Sequence, residues 1–404
     1  MKSQSYRSHF LRALVLLITP LIARGVDIND SMVPAKPNFS PGPEYADNQR
    51  AFQGIPGIER AANGRLWALW YSGGNGEGGA NYVLLVTSGD DGKTWSVPRL
   101  VIDPPGEVRA YDSTLWHDPQ GRLWLFWAQS SGWWDGRSGV WAMVTENSGD
   151  ESPRWSEPRR LCDGIMLNKP TALANGDWAL PVSIWSASPS KNTSPEHRHI
   201  TPGAIGAQMI VSYDQGKTFS FLGKTTAPSH TFDEHSIVQR RDGSLWMLIR
   251  TKVGIAESIS KDGGKTWTPG APSAIPHVNS RFFIRRLASG KLLLVRHNPP
   301  NMKARSHLTA YLSADDGITW TGGLLLDERG GVSYPDGVQD KDGVIRIIYD
   351  FARTKEKQIL MATFTETDVA FGKPSATTHL KLLVNQATGA KNPKGAATEN
   401  PEVN

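Results

Sequence analysis

The side chains able to break a bond are spread along the chain and belong to a few types: a phenol, several carboxylates and several guanidinium groups. Tyr334 stands at the head of Ser333-Tyr-Pro-Asp-Gly. A phenol titrates near ~10, so it attacks carbon only after a base has taken its proton and cations have steadied the phenolate; otherwise a Tyr before a turn is a packed aromatic. Glu234, in Asp233-Glu-His-Ser, is a carboxylate ahead of the fourth apolar run. Arg250 and Arg305 lie at the edges of apolar runs, where a guanidinium is costly to bury unless it meets an anion. The planar fork of Arg suits a carboxylate, and structural ion pairing is the alternative. Glu77, inside the glycine-rich stretch Gly73-Gly-Asn-Gly-Glu-Gly-Gly-Ala-Asn81, is either an acid of raised pKa or a solvated loop residue. Trp133 and Trp134, in a Gly/Ser-rich loop, either stack on the flat face of a ligand or cover an edge. The ten His show no metal-ligand spacing, so no metal or other cofactor is expected.

Groups this far apart in sequence need a scaffold that converges, and a repeat supplies one. A turn followed by an apolar run occurs six times, starting at Asn63-Gly, Gln120-Gly, Asn175-Gly, Asp242-Gly, Ser289-Gly and Asp342-Gly. The copies are spaced by roughly 50 to 65 residues, about the length of a four-stranded propeller blade with its loops. Such X-Gly pairs accept the positive φ of a hairpin, and the run after each can be an inner strand buried on both faces. A second pattern, Ser-x-Asp-x-Gly-x-Thr-aromatic, runs from Ser88 to Trp95, Ser212 to Phe219, Ser260 to Trp267 and Ser313 to Trp320, with a worn copy ending at Trp155. Its Asp accepts backbone N–H groups in a tight turn while the aromatic plugs the blade, which makes the pattern structural.

Composition agrees with an all-β globule. Hydrophobic residues make up 39% and charged residues 21%, which excludes a disordered chain, and the 15 Trp and 40 Gly suit short strands and tight turns. A net charge of +5 without a basic stripe excludes a nucleic-acid partner. One cysteine, Cys162, permits no intrachain disulfide. Lys2, Arg7 and Arg12 precede an apolar run from Ala13 to Ala23 that is too short to span a bilayer, as in a signal peptide. The expected layout is a leader at 1–25, a Pro-rich segment at 26–44, a propeller at 45–383 and a disordered tail at 384–404, in a monomer that is secreted or periplasmic and not stably inserted in a membrane once the leader is cut.

The second pattern resembles the Asp-box of the sialidase superfamily, over roughly residues 45 to 383. That resemblance implies a six-bladed β-propeller of four-stranded antiparallel blades. It further implies a retaining exo-glycosidase acting on a terminal acidic sugar of a glycan, with Tyr334 as nucleophile, Glu234 as its base and Glu77 as proton donor. Arg250 and Arg305 resemble two members of the family's carboxylate-binding arginine triad, and Asp350 sits where the family orients an Arg. Asp112 and Lys169 take comparable rim positions as substrate contacts. The family's first Arg, in a Phe-Arg-Ile-Pro-like segment, is replaced here by Phe52-Gln-Gly-Ile-Pro56, which leaves Gln53 at that subsite and Arg50 as a neighbour that could reach in. Two other expectations keep the fold and change the chemistry. One is a lyase or hydrolase of uronic-acid polysaccharide, in which His235 could be the base. The other is a glycan-binding propeller without turnover.

Overall fold

The computed structural model describes residues 30–391 apart from 187 and 202, together with residue 1. The expected leader therefore falls outside the described residues. Six four-stranded antiparallel sheets follow one another along the chain, each made of four consecutive strands. Their innermost strands are Gln53–Arg60, Val108–His117, Thr171–Ala172, His230–Gln239, Phe283–Arg286 and Val332–Gln339, for blades one to six.

The six apolar runs of the repeat become the second strands: Leu66–Ser72, Leu123–Ser131, Trp178–Ile184, Leu245–Thr251, Leu292–His297 and Ile345–Phe351. These strands are buried almost throughout, because each is covered by its own blade's neighbours and by the adjacent blades. The glycine ahead of each run has φ between 80° and 99°. The core accordingly divides, among the described residues, into six apolar clusters, each shared by adjacent blades. Between blades two and three, Trp116 and Trp178 meet edge to face with centroids 4.8 Å apart.

In the four Ser-x-Asp-x-Gly-x-Thr turns, the Ser hydroxyl donates to the Asp carboxylate and accepts the Gly N–H, while the Thr N–H and hydroxyl donate to the same carboxylate. Trp155, the end of the worn copy, packs against the cluster of blades one and two.

Among the described residues, each blade is built from its own four consecutive strands, and none is exchanged where the ring closes. Carboxylates of blade six instead receive backbone N–H groups of blade one: Ile58 donates to Asp336 at 2.9 Å and Ile55 to Asp350 at 2.8 Å. The Pro-rich segment crosses blades one and two, with Asn38 bridged to Val101 and Ser31 donating to Asp135. The expected boundary at 383 is too early, because the last strand is His379–Gln386 and Thr388 N–H then donates to the carbonyl of Asp47. Polar composition had suggested a tail there, but an outer strand needs only one apolar face. Residues 392–404 lie outside the described residues.

Candidate active site

Four of the inner strands break register where they approach the axis, and each break carries a residue in the left-handed region. These are Ile55 (φ 60°), Asp112 (φ 43°), Glu234 (φ 39°) and Tyr334 (φ 54°). A bulge with positive φ in a non-glycine residue costs energy and re-aims a side chain, and here all four line one axial cavity of about 360 Å³. That volume suits a single sugar ring.

Tyr334 Oη donates to Glu234 Oε1 at 2.6 Å, and Arg250 Nη1 donates to both, at 2.7 Å to the carboxylate and 2.9 Å to the phenol oxygen. Glu234 Oε2 has no hydrogen-bond partner among the described residues. Burial drives the Tyr334 pKa up, against the pull of Arg250, Arg305 and Arg353. The phenol is thus neutral at rest and poised to lose its proton to the carboxylate it already touches. Arg305 is anchored on the carbonyl of Asn279 at 2.9 and 3.1 Å, and its guanidinium carbon stands 5.6 Å from the Tyr334 ring centre.

Arg353 was not singled out in the sequence. Its guanidinium carbon lies 4.2 Å from the Tyr334 ring centre. Nε donates to Asp350 at 3.0 Å, Nη1 to Glu77 at 3.0 Å and Nη2 to Ser333 Oγ at 3.1 Å. The available signal was the i, i+3 spacing of Asp350 and Arg353. Arg109 was also missed. It is 1% exposed, stacks 3.5 Å from the Tyr111 ring centre and 5.2 Å from that of Trp133, and finds no acceptor for Nε and Nη1 among the described residues.

Asp112 faces the cavity near Glu234, Glu77 and Arg109. Burial first, then the charges of Glu234 and Glu77, push its pKa up to about 7. Glu77 lines the cavity too, tied to Arg353. An aromatic wall of Tyr111, Trp133, Trp185 and Phe232 closes the other side, with Trp185 and Phe232 centroids 4.8 Å apart. Trp133 belongs to that wall, whereas Trp134 is 2% exposed and packs beneath Trp185.

Several expected contacts sit elsewhere. Gln53 is fully buried away from the cavity, donating to the carbonyl of Lys357 and accepting from Trp70 Nε1, because the strand places its side chain between blades. Arg50 turns to Asp47, Asn385 and the carbonyl of Tyr45. Lys169 is a plug in the propeller axis outside the cavity: Nζ meets Glu59 at 2.9 Å, Asp336 at 3.1 Å and the carbonyls of Ile58 and Leu115. Asp350 is fully buried behind Arg353 and does not line the cavity. His235 does not line the cavity but is buried against blade three, with Nε2 on the carbonyl of Gln208, and burial lowers its pKa to about 4. It is not a cavity base.

Fold and geometry together define a class, six-bladed propellers whose axial cavity holds a phenol, a carboxylate and a cluster of guanidinium groups. Residues 64–347 match the BNR repeat-like domain, and the chain belongs to that family. It is 26% identical over 331 residues to a protein of Bacteroides fragilis named sialidase, in an alignment covering 71% of this chain. The match spans 58% of that relative, so this chain corresponds to somewhat over half of its length. Among solved structures, a Hadza microbial sialidase superposes with a TM-score of 0.60 at 18% identity, covering 79% of this chain and 66% of that one. The leech intramolecular trans-sialidase gives 0.61 at 13%, covering 84% and 71%. An α-L-arabinanase of Penicillium chrysogenum gives 0.53 at 14%, covering 83% and 99%. At these identities the likeness is one of fold, and the arabinanase illustrates that the fold alone does not choose a sugar.

Proposed function

We propose that the protein is a secreted sialidase-type exo-glycosidase that removes a terminal acidic sugar, sialic acid or a close analogue, with retention of configuration through a bond to Tyr334. The observation carrying this reading is the triangle of Tyr334, Glu234 and Arg250. A phenol hydrogen-bonded to a carboxylate, both touched by one guanidinium, is a nucleophile with its base in place and its developing charge already met. A phenol also avoids the repulsion that a carboxylate nucleophile would meet from an acidic sugar. The similarity to a protein named sialidase supports the same substrate class.

In the first step Tyr334 oxygen bonds to the anomeric carbon as its proton passes to Glu234, and the bond from that carbon to the leaving oxygen breaks. The leaving oxygen takes a proton from Asp112. Glu77 is the less suited donor, because it is engaged as an acceptor by Arg353, whereas a carboxyl titrating at about 7 still carries its proton in a large share of molecules in neutral solution. In the second step Asp112 takes a proton from water, whose oxygen displaces Tyr334, and the phenol recovers its proton from Glu234.

Release of 4-methylumbelliferone from its α-sialoside tests the reading. The wild type is expected to turn over, and Tyr334→Phe and Glu234→Gln to lose ~10³-fold or more in kcat/KM. A wild type that binds acidic sugars and releases no product would make the propeller a binding module.

A further inference from the structure

Blade one lacks an arginine where the sialidase-like arrangement needs its third carboxylate-binding cation, since Gln53 is turned away between blades. Blade six supplies a guanidinium in the same cavity. We propose that Arg353 takes that role, so that Arg250, Arg305 and Arg353 together bind the carboxylate of the sugar; this deepens the reading above and rests on it.

Three features support the transfer. Arg353 is held on three sides, by Asp350, Glu77 and Ser333, which spends one N–H on each nitrogen and leaves one on each terminal nitrogen. Two N–H groups on the terminal nitrogens of a fixed plane are the fork that a carboxylate accepts. The guanidinium also lies against the face of Tyr334, beside the nucleophile.

The second feature is in blade one itself. A Cβ on Gly54 would stand 2.8 Å from Cδ and Nε of Arg353 and 2.9 Å from its Cγ. The residue next to Gln53 is therefore small where the stem of the incoming arginine crosses the strand. Loss of a cation from blade one and room for a cation from blade six occur at adjacent positions. The third feature is Asp350, whose Oδ2 holds both Ile55 N–H of blade one and Nε of Arg353. One carboxylate thus fixes the emptied strand and the replacement side chain together. Glu77 becomes a positioning residue for Arg353, which explains why it sits in the cavity as an acceptor.

Calorimetric titration of the full chain with 2-deoxy-2,3-didehydro-N-acetylneuraminic acid and with its neutral methyl ester tests the proposal. The wild type is expected to prefer the acid. Arg353→Gln should weaken acid binding by ~10- to 100-fold, as expected for loss of a charge-assisted pair, and leave the ester within about twofold. Arg353→Lys, which keeps the charge without the fork, should fall between. Gly54→Ala, which touches no ligand and pushes the arginine stem, should lower the preference in the same direction. Unchanged ester affinity shows that each variant is folded. An Arg353→Gln protein that keeps the full preference for the acid overturns this inference and leaves the sialidase reading standing. A wild type that binds neither compound, or binds them equally, overturns both.

Discussion

Asp112 is the residue at which chemistry and stability pull against each other most plainly. In an unfolded chain an aspartate titrates near ~4, and in the fold this one titrates at about 7. The folded state therefore holds a proton that the unfolded state has released, and stability falls as pH rises through that window. Asp112→Asn should raise stability at pH 8 by on the order of a few kcal/mol and change little near pH 4, as read by melting temperature at the two pH values. The same variant should lose ~10²- to 10⁴-fold on sialosides with alkyl leaving groups and far less on the umbelliferyl sialoside, whose phenolate leaves without help. In the wild type, kcat on the alkyl substrates should fall as pH passes about 7. Glu77→Gln should show none of this leaving-group dependence. Tyr334, Glu234, Arg250, Arg305, Glu77 and Asp112 were all legible as site candidates because short motifs tie them to the repeat, and the cavity does gather them. Arg353 was not, because only tertiary packing reveals that the slot beside Gly54 receives it. Lys169 was misplaced for a related reason: a lysine before a strand looks the same in sequence whether it faces a ligand or two buried carboxylates.

The elements divide the work between rigid second strands and distorted first strands. The second strands were legible as apolar runs after X-Gly, since burial on both faces removes any need for alternation. The bulges at Ile55, Asp112, Glu234 and Tyr334 were not, because β-propensity says nothing of where a register breaks. The tight turns hold the outer strands. Gly216 has φ 84°, and a Cβ there would collide with Trp178 and Trp124. Gly216→Ala should destabilise by about 1–3 kcal/mol in denaturant unfolding while leaving KM unchanged, since the turn is remote from the cavity. The turn carboxylates Asp90, Asp214, Asp262 and Asp315 are held down to about 2, chiefly by the Thr hydroxyl and backbone groups they accept from. Their contribution is complete above ~4, the unfolded value, and is lost as pH falls through about 2. An acid titration followed by circular dichroism should show unfolding steepen across that interval.

At the scale of the whole molecule the propeller is a ring whose ends are joined by buried charge. Lys169 and Asp336 link the third and sixth blades at the axis, with Glu59 and the carbonyls of Ile58 and Leu115 bringing in the first two. Removing one partner of such a cluster strands the others in a dry interior. Lys169→Met should therefore cost about 3–5 kcal/mol in unfolding free energy with no change in substrate KM, an outcome that separates an axial plug from a substrate contact. Six blades were legible from six evenly spaced copies. The mode of closure was not, because single carboxylates that accept backbone N–H groups leave no pattern in a sequence. The proposed mechanism requires Tyr334 to become covalently bound to the sugar. A sialosyl fluoride carrying fluorine at C3 slows loss of the enzyme-bound sugar and allows it to be trapped. Mass spectrometry of the digested protein should then find one added fluorosialosyl group on the peptide holding Tyr334, absent in Tyr334→Phe. An active wild type with no adduct on that peptide, or an adduct on a carboxylate, would rule out Tyr334 as the nucleophile.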